Sequence, residues 1–338
     1  MSVFEFSIVI TTKNSMGVIQ RLVKILQAQD FDHPYEVIFM DNDSSDGTVE
    51  YLKNAGFKNQ RIIHVPEGRF SHSRTRIDAA EQARGRWIIF FTDDIVPIGS
   101  GFLKALTRPL IENLAVAAYG VFQINEKDSD PVDAYLHNDW HLDISDISGP
   151  VSMEDWTGMS PEERRKSSNF DNCASCMDRE LLLDIKFPDV PYGEDMFFAK
   201  RLILSGRKVA ISRAAVFYHW HKMSFRYLLN RMCVDQHLSL QEFQIIYVKS
   251  KTRVILAIVK RMIHRSLISL FRLDISLRDR FYWMFYNIKI VNADFWGKYM
   301  GSLTESVEKK RFSFLDKWLY NRKKEIIDRI YSRSIIRD

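Results

Sequence analysis

The sequence predicts an α/β protein with a mostly parallel central sheet flanked by helices, followed by a helical C-terminal extension. Short apolar runs rich in β-branched residues alternate with segments of helical spacing in the first part of the chain. Short loops separate these segments, which is typical of a parallel α/β sheet. From about Leu238 onward the alternation stops, and long basic segments rich in aromatic residues follow.

The strands are predicted at apolar runs that end in polar or turn-forming residues, namely 6–12, 35–43, 61–66 and 86–94. Helical spacing of apolar residues predicts the intervening helices, at 16–29, 47–55 and 73–85. Gly85 is predicted to cap the third helix, because glycine tolerates the left-handed conformation that ends many helices. The polar segment 152–170 is predicted to be a loop.

Length and composition exclude several classes of protein. The 338 residues suggest one large domain with an appendage, or two domains, and 46% hydrophobic residues can form a substantial core. Three cysteines do not make a disulfide framework, and the lone pair Cys173 and Cys176 lacks the further ligands of a zinc site. No signal peptide and no apolar run of about 18 residues is evident, so we expect a cytoplasmic protein that does not span a membrane.

Polar side chains follow three of the predicted strands at the point where each strand ends. They are Thr11 and Thr12, Asp41 and Asp43, and Asp93 and Asp94. Any one of these acids could be a helix N-cap or a turn former. Because ligands of open α/β sheets bind outside the carboxyl ends of the strands, the three sets together predict a single site.

The adjacent carboxylates Asp93 and Asp94 suit a hard divalent cation, Mg²⁺ or Mn²⁺, since no Cys or His lies near them in sequence. Such a cation usually shares its coordination shell with substrate phosphates. The chain contains neither a GxxxxGK[ST] phosphate loop nor a GxGxxG stretch after the first strand. The sequence therefore disfavours a P-loop nucleotidase and a dinucleotide-binding fold.

Three longer stretches carry a family resemblance. They begin at Ser7 with SIVITTKNSMGVIQRL, at Glu67 with EGRFSHSRTRIDAAEQARGRWIIFFTDD, and at Pro191 with PYGEDMFFAKRLILSG. In order and spacing they resemble the nucleotide-sugar-dependent glycosyltransferases of family 2, which have the GT-A fold, over about residues 5–235. TDD resembles the metal-binding DXD variant of that family. FSHSRTR and HWHKMSFRYLLNR are similar to the bacterial rhamnosyltransferase branch.

The resemblance implies roles for residues on the donor side. Thr11 and Asp41 would contact the nucleoside, with Asp43 supporting the same loop. Arg74 and Arg76 would face the nucleotide or its diphosphate, although Ile77 stands where the family commonly has Asn. Asp93 would touch ribose or metal, and Asp94 and His219 would bind the metal.

It also implies roles at the reacting hydroxyl. Asp195, in the GED motif, would be the general base, and Glu194, Trp220 and His221 would lie on the acceptor side. Inverting transfer needs a carboxylate to accept the proton of the acceptor hydroxyl and positive charge on the leaving diphosphate. Other readings stay open: Asp195 opens an amphipathic segment and could stabilise only a helix N-terminus, and His219 and His221 could be ordinary half-buried histidines.

The function implied is a metal-dependent inverting transfer of L-rhamnose from dTDP-L-rhamnose onto a lipid-linked bacterial surface polysaccharide or O-antigen acceptor. The alternatives are a family 2 transferase that uses another sugar from a UDP donor, and a non-catalytic sugar-nucleotide-binding subunit. We expect a catalytic domain at 1–237, with a nucleotide-sugar half at about 1–98 and an acceptor half at 99–237. A basic helical region would occupy 238–338.

The charge distribution sets the C-terminal region apart. Residues 249–338 contain 21 Lys and Arg against 9 Asp and Glu, whereas the first 248 residues contain 27 against 34. Basic amphipathic segments with Trp and Phe suit an anionic membrane surface, which would place the protein at the inner face of the cell membrane. A helical subdomain packed on the catalytic domain and a homodimer interface are the alternatives. No recognised motif supports nucleic-acid binding.

Overall fold

A computed structural model describes residues 4–66, 68–127, 129–272, 274–304 and 313–335. These residues form two compact units. The first comprises the chain up to Gln123 together with Asn138–His219, and the second comprises Ile124–His137 and Trp220–Ile335. The sequence predicts a domain boundary between residues 237 and 238. These two residues lie inside the helix Phe225–Phe243 of the second unit, and the predicted domain boundary stays a prediction.

The first unit is built on one mixed sheet. Its strands in the described residues are β1 (Phe6–Thr12), β2 (Tyr35–Asp41), β3 (Gln60–His64), β4 (Trp87–Thr92), β5 (Val96–Pro97), β6 (Ala117–Gln123), β7 (Ile147–Ser148), β8 (Ala174–Asp178) and β9 (Val209–Tyr218). The strand order is β3-β2-β1-β4-β8-β6-β9-β5, and β7 pairs with β9. β3, β2, β1 and β4 are parallel, as predicted, while β8 runs antiparallel to both β4 and β6.

The first unit also contains helices, which lie between its strands along the chain. They are α1 (Met16–Gln27), α2 (Thr48–Lys53), α3 (His72–Gln82), α4 (Phe102–Ile111), α6 (Met153–Gly158), α7 (Pro161–Ser167), α8 (Arg179–Ile185) and α9 (Glu194–Leu204). Every residue of β1 is buried, which is typical of a central strand covered on both faces. On one face, Ile8 and Ile10 of β1 share a core cluster with Ile19 and Leu22 of α1.

Two sequence predictions in this unit are wrong. Helix α3 ends at Gln82, and Ala83 caps it in an extended conformation, so Gly85 is not the cap. Gly85 instead allows β1 to approach, because a Cβ there would lie 2.5 Å from the carbonyl carbon of Phe6. The segment 152–170 is not a loop: it contains α6 and α7, and the latter begins with a capping box between Ser160 and Glu163.

The second unit is helical. It contains α5 (Pro131–His137), α10 (Phe225–Phe243), α11 (Lys251–Phe271), α12 (Leu277–Ser302) and α13 (Phe314–Ile335). Helices α10 and α12 approach closely at Gly301, where a Cβ would lie 2.2 Å from the carbonyl oxygen of Cys233. None of the helices in the described part of the chain combines the length and the apolar character needed to cross a bilayer.

Candidate active site

The parallel register of the sheet brings the predicted polar residues to one edge. Thr11 lies opposite Met40 and Thr92, and Thr12 lies opposite Asp41. The strands end together there, so the loops that follow β1, β2 and β4 start side by side. The strand ends that carry these residues therefore lie side by side, and their union in one binding site stays a prediction.

Asp41 is buried and holds the start of the loop after β2. Its two carboxylate oxygens accept hydrogen bonds from the Thr12 hydroxyl, at 3.1 Å, and from the backbone N–H of Ser44, at 3.0 Å. Asp43, two residues later, has a left-handed φ of 59° and an exposed carboxylate 3.9 Å from the His64 imidazole. Asp41 thus shapes the loop, and Asp43 faces solvent beside His64.

The sequence interpretation missed two residues, Asp46 and Ser15, that contact the segments around these strand ends. The carboxylate of Asp46 accepts hydrogen bonds from the backbone N–H groups of Met16 and Thr48, the first residues of α1 and α2. A further bond from the Thr48 hydroxyl lowers the pKa of Asp46. Ser15 is the N-cap residue of α1, but its hydroxyl does not cap the helix. It donates a hydrogen bond to the Asp93 carboxylate, which follows the neighbouring strand β4.

The acids after β4 lie in a partly buried setting. Burial raises the pKa of Asp93, the charge of Asp94 raises it further, and the Ser15 hydrogen bond opposes both effects. A nearby cation would relieve the repulsion between two adjacent carboxylates that are partly withdrawn from water. The chemistry of these donors therefore fits the divalent cation that the sequence predicts.

His219 is the second predicted metal ligand that the fold brings to this place. β5 pairs with the end of β9, and the backbone N–H of His219 donates to Gln123 at the end of β6. These contacts set the His219 Nε2 atom 3.5 Å from Asp94 Oδ2. A carboxylate oxygen and an imidazole nitrogen side by side, both partly exposed, are ligands that Mn²⁺ accepts.

Asp195 is the second residue of α9, and the N-cap of this helix, Gly193, adopts a left-handed φ of 75°. Its carboxylate accepts hydrogen bonds from the backbone N–H groups of Met196, at 2.7 Å, and Asn172, at 3.2 Å. Burial raises the pKa of Asp195 to about 7, and the charges of Glu194 and Asp171 contribute to the increase. A carboxylate with this pKa is suited to accept a proton near neutral pH.

The two predicted arginines make ion pairs within the first unit. Arg76 is buried, and its guanidinium donates to Glu194 at 2.7 Å and lies 5.8 Å from the centre of the Phe90 ring. Arg74 is partly exposed and contacts Asp189 through two nitrogens, at 2.9 and 3.2 Å. Their contacts with a nucleotide stay predictions. Asp189 and Glu194 each lie more than a hundred residues from their arginine in sequence, so no local pattern predicts these ion pairs.

The remaining predicted acceptor-side residues begin the second segment of the second unit. Trp220 is half-buried, with its ring centre 6.1 Å from that of Trp283, and His221 is exposed. Their roles stay predictions, as does that of Glu194, which is buried against Arg76.

Comparisons with known proteins identify the family. The model of glycosyl transferase family 2 matches residues 7–182. The chain is 26% identical over 225 residues to the O-antigen chain rhamnosyltransferase RfbN of Salmonella typhimurium, covering 66% of this chain and 68% of the relative.

Solved structures resemble the fold over nearly the whole chain. The mannosyltransferase PcManGT from Pyrobaculum calidifontis, in complex with GDP-Man and Mn²⁺, has a TM-score of 0.54 at 15% identity, covering 98% of this chain and 85% of that one. S. aureus TarS 1–349, in complex with UDP-GlcNAc, has a TM-score of 0.49 at 18% identity, covering 98% and 90%. The predicted family and fold class are confirmed: the chain belongs to glycosyl transferase family 2 and has the GT-A fold.

Proposed function

We propose that the protein is a metal-dependent inverting glycosyltransferase that moves L-rhamnose from dTDP-L-rhamnose onto a lipid-linked bacterial surface polysaccharide or O-antigen acceptor. The observation that carries the metal-dependent mechanism is the approach of Asp94 and His219 to 3.5 Å at adjoining strand ends. The choice of rhamnose rests on the similarity to the Salmonella rhamnosyltransferase.

Asp94 and His219 would hold a divalent cation, with Asp93 adding negative charge beside them. When bound, the cation supplies positive charge that stabilises the leaving diphosphate. Thr11 and the loop held by Asp41 would receive the nucleoside at the same edge of the sheet. This arrangement keeps the donor side at the ends of β1, β2 and β4.

Asp195 would act on the acceptor. Its carboxylate takes the proton of the attacking hydroxyl as that oxygen bonds to the anomeric carbon and the bond from that carbon to the diphosphate breaks, with inversion. With a pKa of about 7, a substantial fraction of Asp195 is ionised at neutral pH and can accept the proton. The backbone N–H groups of Asn172 and Met196 fix the carboxylate in place without protonating it.

The test is Asp94→Ala, assayed by Mn²⁺-dependent hydrolysis of the donor and by direct Mn²⁺ titration. We expect loss of metal-dependent turnover and weaker Mn²⁺ binding with an unchanged melting temperature, because Asp94 lies in the loop after β4 and outside the core. Asp32→Ala makes the same change at a side chain that is 87% exposed, and it should behave as wild type.

Activity that persists in EDTA would contradict the metal-dependent mechanism. Running the wild-type assay with dTDP-L-rhamnose and with UDP-sugars tests the donor separately. Turnover with a UDP-sugar alone would make the rhamnose assignment wrong and leave the glycosyltransferase assignment intact. No turnover with any donor or acceptor would favour a non-catalytic sugar-nucleotide-binding subunit.

A further inference from the structure

Helix α11 exposes an apolar stripe along most of its length. Four of its residues are buried: Val254, Arg265, Ile268 and Ser269. Seven large apolar residues are exposed over 48% to 76% of their surface: Ile255, Leu256, Val259, Ile263, Leu267, Leu270 and Phe271. Their spacing of three and four residues places them on one face of the helix. Scattered exposed apolar residues are normal in proteins, but a continuous stripe of this length is not.

Helix α12 carries a second stripe of the same kind. Its exposed members are Leu277, Phe281, Phe285 and Ile288, again at intervals of three and four residues. A cleft between the two helices is lined by Leu270 of the α11 stripe and by Leu277 and Phe281 of the α12 stripe. The two stripes therefore meet and form one surface, which we call the α11–α12 apolar face.

Basic residues border this face. By helical periodicity, Arg253 and Lys260 lie along one edge of the α11 stripe, and Arg278 and Lys289 lie along one edge of the α12 stripe. All four are exposed. Between residues 251 and 302 the sequence has ten Lys and Arg against three Asp and no Glu. The apolar face is thus bordered by positive charge with little acidic charge nearby.

We infer that the α11–α12 apolar face docks onto the surface of an anionic lipid bilayer. Helices that lie in a membrane interface bury their apolar side among the acyl chains and keep Lys and Arg at the level of the headgroups. The stripes supply the first feature and the four bordering cations supply the second. The helices would lie along the surface, since none of those described can cross a bilayer.

The charge distribution favours a lipid partner over a second copy of the chain. In a two-fold symmetric contact each surface meets itself, so the cations around the face would approach one another. Like charges brought together across an interface oppose association. An anionic bilayer offers the opposite charge and an apolar interior at the same time.

Flotation of the full-length protein with vesicles tests the inference. We expect binding to vesicles of phosphatidylcholine mixed with phosphatidylglycerol and weaker binding to pure phosphatidylcholine. Salt should reduce binding without abolishing it, because salt screens the charge attraction but not the apolar contact. Lys260→Gln should lower the partition coefficient about fivefold.

The variant Ile263→Glu with Leu267→Glu should lower partitioning by about tenfold or more for each residue, since both side chains would no longer insert. Leu142→Glu is the matched control, because Leu142 is an exposed leucine of the first unit, and it should bind as wild type. Donor hydrolysis and circular dichroism establish that the variants are folded.

Failure of the full-length protein to float with anionic vesicles at low salt would overturn the inference. Equal flotation of the double variant and wild type would assign any binding to another surface. A dimer that the double variant dissociates, without vesicle binding, would show that a second copy covers the face instead.

Discussion

Each unit contains a carboxylate pair with an arginine beside it, and the two arrangements differ in what the arginine contacts. In the first unit, Arg76 donates to Glu194 at 2.7 Å, while the described hydrogen bonds of Asp195 come from backbone N–H groups. In the second unit, one nitrogen of Arg265 contacts both Asp130, at 2.8 Å, and Asp133, at 2.5 Å.

Both arrangements raise the pKa of an aspartate. Burial and neighbouring carboxylates raise the pKa of Asp195 to about 7 and that of Asp130 to about 6. A raised pKa alone therefore does not identify a general base. In the second unit the arginine is shared by both acids, which is expected of a structural cluster. In the first unit the arginine neutralises the neighbour of Asp195, and we propose that this leaves Asp195 able to exchange a proton.

The largest effect should come from Asp195→Asn, which keeps the shape of the side chain and removes its basicity. We expect kcat to fall by ~10²–10⁴-fold with little change in donor affinity. Asp130→Asn makes the same change in the second unit and should leave kcat near the wild-type value. The measurements are steady-state kinetics and donor titration. A variant that loses donor binding but keeps its turnover at saturation would identify Asp195 as a binding residue.

Next in size is the effect of Arg265→Met on stability. Removing the arginine leaves two neighbouring carboxylates without their counter-charge, and breaking a buried pair in this way costs about 3–5 kcal/mol in free energy of unfolding. Denaturant unfolding measures the loss. Arg261→Met changes an exposed arginine of the same helix and should alter stability by less than about 0.5 kcal/mol.

The pH dependence of the Arg265→Met loss follows from the pKa of Asp130. That pKa is already raised in the folded protein, and removing the cation raises it further. A group with a raised folded pKa contributes stability at low pH and loses it as pH rises through the folded value. The loss should therefore be smaller at pH 5 than at pH 8, and adding Asp130→Asn should recover part of it. An equal loss at both pH values would contradict an electrostatic role for Arg265.

The sequence predicts the parallel half of the sheet because local signals there agree. β1, β2 and β4 are mostly apolar runs that end in polar residues, and β1, β2 and β3 are each followed by a helix. Gly85 was assigned to the wrong role because a cap and a close backbone approach both favour glycine. The capping box of Ser160 and Glu163 was visible in the sequence as a helix signal, and the polar composition of the segment obscured it.

The sequence also predicts that these strand ends lie together, because the carboxyl ends of parallel strands meet at the same end of a sheet. It does not predict the partners of the charged side chains. Arg76 and Glu194 are 118 residues apart, and Arg265 and Asp130 are 135 apart. Such pairs depend on how distant elements pack, and no local pattern carries that information. The raised pKa of Asp195 depends on the same packing.

The smallest effect, and the most direct test of the difference between the two units, is the pH profile of Glu194→Gln. A general base must be ionised to act, so wild-type kcat/KM should rise with pH through a pKa of about 7. Glu194→Gln removes a negative charge next to Asp195 and leaves the Arg76 guanidinium without its carboxylate partner. The lost repulsion and the unneutralised positive charge both favour the ionised form of Asp195. The rising limb should therefore move to lower pH, by on the order of one pH unit.

Glu180→Gln, which removes one negative charge from an exposed position, should leave the limb where it is in wild type. A limb that does not move in Glu194→Gln would mean that another group controls the rate, and the proposed contrast between the two carboxylate pairs would then be wrong. A limb that moves in Glu194→Gln and vanishes in Asp195→Asn would attribute the titration to Asp195, because only that carboxylate is affected by both substitutions.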